Sequence, residues 1–433
     1  MKKLSYLIIL VSASLLLAVS PAHAQRDYLS GNWGGFRDTL TKRGLTPGFV
    51  YSAMPVVNLN GGIKTGIRYI DNVDITFNAN FEQLIGWRGS TAFLYILGNN
   101  GDFATELTGD VQTISNIEAY PTWKVYEAWI QQNFLNNSIS ILAGLYDVNS
   151  EFDVVKPGLL FLHSSYGLGA ELAQSGRNGP SVFPVTSLAL RLAFNIKKRV
   201  RLMAAVLDGV PGNPADPKGT HIKLSEEEGA LIMAQLNINI GSRLIVKKGG
   251  NVRRAGTIRR LNIGRNFKTP DLSQLIIGGW RYTARFQTLN PEDDLMQKGN
   301  QGLYLAYQRY LLLDAAREKH ITAFIRYGLA ADQFNRFGSA LSGGVVTQLP
   351  ILAQGDMAGI AASAAFNSEG YENKAAFENQ GYTRAETNIE FTYQHSLKPY
   401  IIIQPSLQYI FNPGTDPARD DALAFLLLLQ IEL

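Results

Sequence analysis

The stretch VDITFNANFE (73–82) changes polarity at every step: Val73, Ile75, Phe77, Ala79 and Phe81 share one face, and Asp74, Thr76, Asn78, Asn80 and Glu82 the other. A period of two belongs to a strand whose faces meet different surroundings, because successive side chains leave the pleat on opposite sides. The same parity separates Thr387, Ile389, Phe391 and Tyr393 from Glu386, Asn388, Glu390, Thr392 and Gln394 in AETNIEFTYQ (385–394). It recurs in the closing ALAFLLLLQIEL (422–433), where Phe425, Leu427, Leu429, Ile431 and Leu433 oppose Gln430 and Glu432. That segment is too short for a membrane helix, which needs about 20 apolar residues. As a strand with one wholly apolar face, it suits the wall of a membrane barrel, with its odd face against lipid. A soluble sandwich also alternates, but its outer face would carry lysines that are scarce here.

Sixteen such runs can be read, near 48–59, 73–85, 89–98, 124–134, 138–148, 188–196, 199–208, 229–238, 274–287, 300–312, 320–330, 339–348, 357–366, 385–396, 399–410 and 422–433. An even number suits a bacterial single-chain barrel, whose connections alternate between short periplasmic turns and longer outer loops. Gly86-Trp87-Arg88, Leu135-Asn136-Asn137, Lys197-Lys198 and Leu397-Lys398 read as the turns, and 99–123, 149–187, 209–228, 288–299 and 367–384 as the loops. Two stretches break the pattern. The segment 239–273 falls where a short turn is due and carries nine basic residues against the single acid Asp271. It reads as a solvated extension of the periplasmic rim or as a docking site for an anionic partner. Pro405 lies within a run, where a closed barrel has no edge to excuse a missing donor, and predicts a bulge.

Residues 1–24 are set apart as an export signal: Lys2 and Lys3 precede an apolar core, and Ala22-His23-Ala24 offers a cleavage site before Gln25. No later stretch holds 18 consecutive apolar residues, which excludes a helical membrane protein. The absence of cysteine excludes disulfides and thiolate metal sites. Without the two signal lysines, the formal net charge of +4 falls to about +2, which implies no nucleic-acid partner. The organisation expected is a signal peptide (1–24), a periplasmic segment with a short helix (25–47) and a barrel domain (48–433). The fold class is all-β: a single transmembrane antiparallel β-barrel of about 16 strands, embedded in outer-membrane lipid.

Four stretches, taken together, resemble the carbohydrate-selective porin family of Gram-negative outer membranes. SGNWGGFRDTLTKRGL (30–45), with Trp33, Phe36 and Leu40 at helical spacing, is similar to the family's N-terminal motif. VYEAWIQQNF (125–134) with ILAGLYD (141–147) resembles its fourth and fifth strands, and RAETNIEFTYQHSLKPYIIIQPSLQYIFNPG (384–414) its signature near the C-terminus, proline included. GLYLAYQRYLL with AFIRYGLA (302–329) is a weaker match. The resemblance implies a sixteen-stranded barrel with an inward-folded loop that admits mono- or oligosaccharides by facilitated diffusion and uses no cofactor. Leu433 stands where such barrels usually place an aromatic, and the basic 239–273 segment is longer than the family's connection.

Placing the polar face inward makes Glu82, Glu127, Trp129, Arg191, Arg201, Arg281, Arg285, Arg326, Glu386 and Glu390 lumen candidates. Charged groups of both signs hold sugar hydroxyls without a net field, and an inward indole beside Glu127 would offer a stacking face for a pyranose. The competing readings are a ladder that only keeps the lumen wet, and for Trp129 a place in an aromatic girdle. The longest outer connector, 149–187, is the expected constricting loop. A general or anion-preferring porin, whose arginines act on charge, is the alternative function. An outer-membrane hydrolase built on His163-Ser164-Ser165 is disfavoured, because a catalytic serine needs a positioned base and a third orienting group. Monomer and homo-oligomer are both left open.

Overall fold

The structure, a computed structural model, describes residues 28–196, 199–240, 273–291, 295–314, 319–353 and 355–433. The signal segment, Lys197-Lys198 and nearly all of the basic segment lie outside the described residues. The strands are β1 (Leu45–Gly62), β2 (Gly66–Asn80), β3 (Ser90–Gly101), β4 (Thr122–Phe134), β5 (Ile139–Tyr146), β6 (Ser187–Ile196), β7 (Val200–Asp208), β8 (Ala230–Ile240) and β9 (Ser273–Tyr282). After a small loop hairpin, β10 (Phe286–Gln287) with β11 (Met296–Gln297), come β12 (Gln301–Asp314), β13 (Lys319–Ala330), β14 (Phe337–Gln348), β15 (Met357–Asn367), β16 (Ala385–Lys398), β17 (Ile401–Phe411) and β18 (Asp420–Glu432). All but the hairpin form one closed antiparallel barrel of sixteen strands, shut by β1 against β18.

Parity works as the sequence requires in the closing strand. Ala422, Ala424 and Leu426 are buried inside, while Phe425 and Leu433 are exposed on the outer face. The seam between β1 and β18 shifts register at Asn58/Asn60 and again at Asn60/Gly62. Gly61 there holds φ +67°, and any side chain would collide with the Asp421 carbonyl. The N-terminal motif fixes the end of this strand. Arg37, in the helix Phe36–Lys42, is buried and donates Nη2 to the Leu433 carbonyl at 2.8 Å, its guanidinium 3.7 Å from the Tyr28 ring centroid. Trp33 and Phe36 are exposed, with the Trp33 ring 5.8 Å from that of Phe49.

Three sequence expectations are corrected. The run expected at 73–85 is a strand that starts at Gly66 and stops at Asn80. The Asn80 Oδ1 accepts from the Glu82 and Gln83 amides at 3.1 and 3.3 Å and so caps a short helix, Phe81–Ile85. Glu82 therefore sits exposed at the periplasmic rim and not on the lumen face. The run expected at 274–287 ends at Tyr282. Arg285 belongs to the following loop, where it donates to the Met296 carbonyl at 3.2 Å. Pro405 causes no bulge: the pairing with β18 passes through Pro405↔Leu427, and the pairing with β16 keeps one register from Thr392↔Ser406 to His395↔Ile403. The Gln394 side chain donates to Gln404 at 2.9 Å alongside the proline.

The core lies inside the barrel. The loop 147–186 folds into the lumen, where Phe152, Leu160, Phe161 and Leu172 pack in one cluster with the inward Met203, Met233, Ile276 and Trp280 of β7, β8 and β9. A second loop, 102–121, also turns inward and sets Ala104, Ile114 and Ile117 against Met54, Val56 and Leu426. The sequence reading assigned this filling role to the 149–187 loop alone.

Candidate functional site

What holds these loops inside is a set of charged wall residues engaged by groups of the loops themselves. Arg326 of β13 donates to both Asp153 oxygens at 3.2 and 2.6 Å and reaches Glu171 at 2.8 Å, all three side chains being buried. Glu390 of β16 accepts from the Leu162 and His163 amides at 2.8 and 3.0 Å and from Ser406 at 2.8 Å. Glu386, four residues earlier and so on the same face, accepts from the Val111, Gln112 and Gly414 amides at 2.9, 3.0 and 2.6 Å. Arg191 pairs with Glu151 at 2.8 Å and donates to Ser140 Oγ and Gln131 Oε1 at 2.8 and 2.7 Å. Arg201 shares the same Glu151.

Arg281 is a further correction. In β9 the inward residues are Gly278, Trp280 and Tyr282, so Arg281 falls on the outer face, exposed, opposite Gln301. The parity rule of polar side inward fails here because the 147–186 loop gives the inner wall an apolar partner, and the indole takes that side.

On the far side of the loop from Arg326 lies a cavity of about 320 Å³. Its walls come from β1–β4 and β16–β18 together with segments of both inward loops. Four carboxylates line it, Asp74, Glu118, Glu127 and Asp147, and no lysine or arginine is among the described residues that do. Amides add further hydrogen-bonding groups: Asn72, Asn116 and Asn149, with Gln394, Gln404 and Gln430 at the periplasmic end.

Two of the carboxylates are paired with aromatic hydroxyls. Tyr95 donates to Asp74, and Tyr126 donates to Asp147 at 2.6 Å. The two phenol rings meet edge to face with centroids 5.0 Å apart, and Phe183 follows at 6.2 Å from Tyr126. This alignment depends on a bulge. Tyr95 pairs with Glu127 but Ile96 with Val125, which leaves Tyr126 as the extra residue. A bulge re-aims the side chains it carries. Tyr126 and Glu127 consequently both lie buried toward the interior. Glu127 accepts from the Trp129 indole at 3.0 Å and from the Asp147 amide at 3.3 Å. The indole itself packs on Phe93, centroids 5.3 Å apart, and does not line the cavity.

Burial sets the protonation of the loop groups. It pushes the Glu118 carboxyl up from its ordinary range, against hydrogen bonds from Thr105 and the Ala104 and Thr105 amides that pull it down. It raises Asp153 to about 6 despite Arg326, and it lowers His163 to about 3, so that ring stays neutral. His163 Nδ1 accepts from the Ser165 amide at 3.3 Å, while the Ser165 hydroxyl donates to Gln112 at 2.8 Å. The serine thus makes its hydrogen bond to an amide and not to the imidazole.

A closed barrel with loops folded into its lumen, leaving a polar cavity, is the architecture of an outer-membrane diffusion channel. A sequence model of the carbohydrate-selective porin, OprB family matches residues 64–432. Porin B of Pseudomonas aeruginosa is 24% identical over 236 residues, half of each chain. A putative porin QuiX of Acinetobacter baylyi is 21% identical across 95% of this chain and 96% of its own length. Among solved structures, Pseudomonas putida OprB at high pH superposes with a TM-score of 0.78 at 17% identity, covering 96% of this chain and all of that one. That likeness is one of fold. The chain belongs to the carbohydrate-selective porin, OprB family, and its place is the outer membrane.

Proposed function

We propose that this porin passes small sugars along the cavity between the inward loops and the β1–β4 wall. The observation that carries the reading is the lining itself: carboxylates and amides interleaved with aromatic edges, at a volume of about 320 Å³. That is near the lower end of small-ligand sites, roughly 300–1,000 Å³, and favours single sugar units over long oligosaccharides. Asp147, Asp74 and Glu127 would accept sugar hydroxyls, and Tyr126, Tyr95 and Phe183 would face the ring's C–H side. Trp129 acts at one remove, by holding Glu127. Arg191, Arg326, Glu386 and Glu390 serve as loop tethers, since their partners are already supplied by the protein. The exposed apolar outer face takes the lipid.

The anion-preferring alternative asks for cations along the path, and the arginines expected to supply them are tied up by Glu151, Asp153 and Glu171 or face away from it. A hydrolase reading would need a serine engaged by a base, and Ser165 donates to Gln112 instead.

The test is single-channel conductance with a panel of neutral sugars. Each hydroxyl contact nets only about 0.5–1.5 kcal/mol, so block should be weak and brief. Tyr126→Ala should weaken sugar block severalfold and leave sugar-free conductance close to wild type. Intact sugar block with altered ion selectivity would instead support a general porin.

A further inference from the structure

The 147–186 loop crosses the lumen and leaves open space on the side of β1–β4. In the ring of strands β13 stands eight places from β3 whichever way one counts, so Arg326 and Tyr95 are on opposite walls. The two carboxylates that Arg326 holds belong to different limbs of the loop. Asp153 follows Asn149 and Ser150, and Glu171 stands between Ala170 and Ala173, and all four of these neighbours line the passage. One guanidinium thus grips the back of both limbs whose fronts face the sugar route.

The grip has been given room and support. A side chain at Gly169 would collide with the Arg326 guanidinium, and one at Gly328 with the Glu171 carboxylate. Gln235 accepts from the Asp153 amide at 2.6 Å and from the Tyr304 hydroxyl at 2.7 Å, and the Arg326 guanidinium lies 5.7 Å from the Tyr304 ring centroid. Asp153, Glu171, Arg326 and Tyr304 are the titratable groups that meet there, so two carboxylates share a single cation in a site without solvent.

We propose that Arg326 is a positioning residue that keeps the channel open by clamping both limbs of the inward loop to the wall opposite the sugar route. Without the guanidinium, two buried carboxylates lose their partner, and such charges leave a closed site for water. The open space on the other face of both limbs is the passage. The limbs therefore move into it and obstruct it; they do not lift away and widen it. The inference rests on the passage being the route proposed above.

The experiment uses the full chain, folded in detergent and inserted in planar bilayers. Arg326→Gln is expected to show a severalfold loss of mean conductance with rapid flicker near neutral pH. Steady current should return on acidification, because protonation removes the stranded charge; burial already raises Asp153 to about 6 against the pull of Arg326, and loss of that cation raises it further. Combining Arg326→Met with Asp153→Asn and Glu171→Gln should restore steady current near neutral pH. If Arg326→Gln fails to fold, Arg326→Lys carries the test: it keeps the charge without the planar fork, and flicker is expected. A larger steady conductance, or an unchanged one, in either single variant overturns the proposal. Failure of the route itself shows separately, as wild-type sugar block that Tyr126→Ala does not change.

Discussion

The inner face of this barrel is two surfaces. From β7 to β13 it is largely apolar, with Met203, Met233, Ile276 and Trp280 buried under the 147–186 loop and Arg326 enclosed in ion pairs. From β1 to β4 and β16 to β18 it presents Ser52, Asp74, Glu127, Gln404 and Gln430 to an open space. The strands alternate on both sides, so the difference is not one of secondary structure. An inner face turns apolar where a loop covers it and polar where water or solute does, and a charged residue changes task between the two. Glu127 lies on the route, while Glu390, equally inward and buried, holds the Leu162 and His163 amides. Pointing into the lumen therefore does not make a residue a sugar ligand.

The comparison is tested most severely on the covered side. Trp280→Ala should lower stability by about 3–5 kcal/mol, the cost of emptying a packed aromatic site. Denaturant titration of the folded barrel, followed by its heat-dependent gel shift, would measure this. A loss no larger than for a lipid-facing side chain would mean the covered side is not a packed core.

Next in size is the outer face. Leu427→Arg near the middle of β18 should cost roughly 2–4 kcal/mol, because it sets a charge in hydrocarbon. Gln430→Arg, whose side chain borders the passage, should be much milder. Equal defects in folding yield would show that the assignment of inside and outside in this strand is wrong.

The smallest effect is on pH. The folded values of Asp153 (about 6) and Glu118 are raised, chiefly by burial. For a carboxyl whose folded pKa exceeds its unfolded one, the folded state binds the proton more tightly. Docking of the 147–186 loop should then strengthen as pH falls from about 6 toward the ordinary carboxylate range and weaken as pH rises back through about 6, and the raised Glu118 carboxyl gives the 102–121 loop the same sign. Protease protection of the 102–121 and 147–186 loops, compared at neutral and mildly acid pH, would check the sign. Greater cleavage in acid would contradict it.

Much of the wall was readable because a barrel strand meets lipid on one side, and lipid enforces parity. Phe425, Leu427 and Leu429 could be assigned from the sequence for that reason. The interior has no single surrounding to enforce a pattern. Arg281 was placed inward on the rule that charge avoids lipid, but it lies near the outer-loop end of β9, beyond Ile277, where the rule relaxes. Arg285 was misplaced because the alternation of GGWRYTARFQ continues past the true end of the strand at Tyr282. Asn80 could have warned against Glu82, since an asparagine with an acid in the turn that follows is a helix cap signal. Tyr126 was hidden by reading one parity through the whole strand, whereas its bulge reverses the phase: Trp123 and Val125 face outward at odd positions and Ile130 at an even one.

The sequence by itself determined the class of fold, the number of strands and which residues of the closing strand meet lipid. Each of these follows from local alternation and from the length a strand needs to cross the membrane. The tertiary structure alone decided what the inward residues do. That depends on which loop lies against each stretch of wall, and the contact between Arg326 and Glu171 joins residues 155 apart in the chain. No local pattern records a partner at that distance, and a carboxylate or guanidinium looks the same in the sequence whether protein or solute completes its hydrogen bonds.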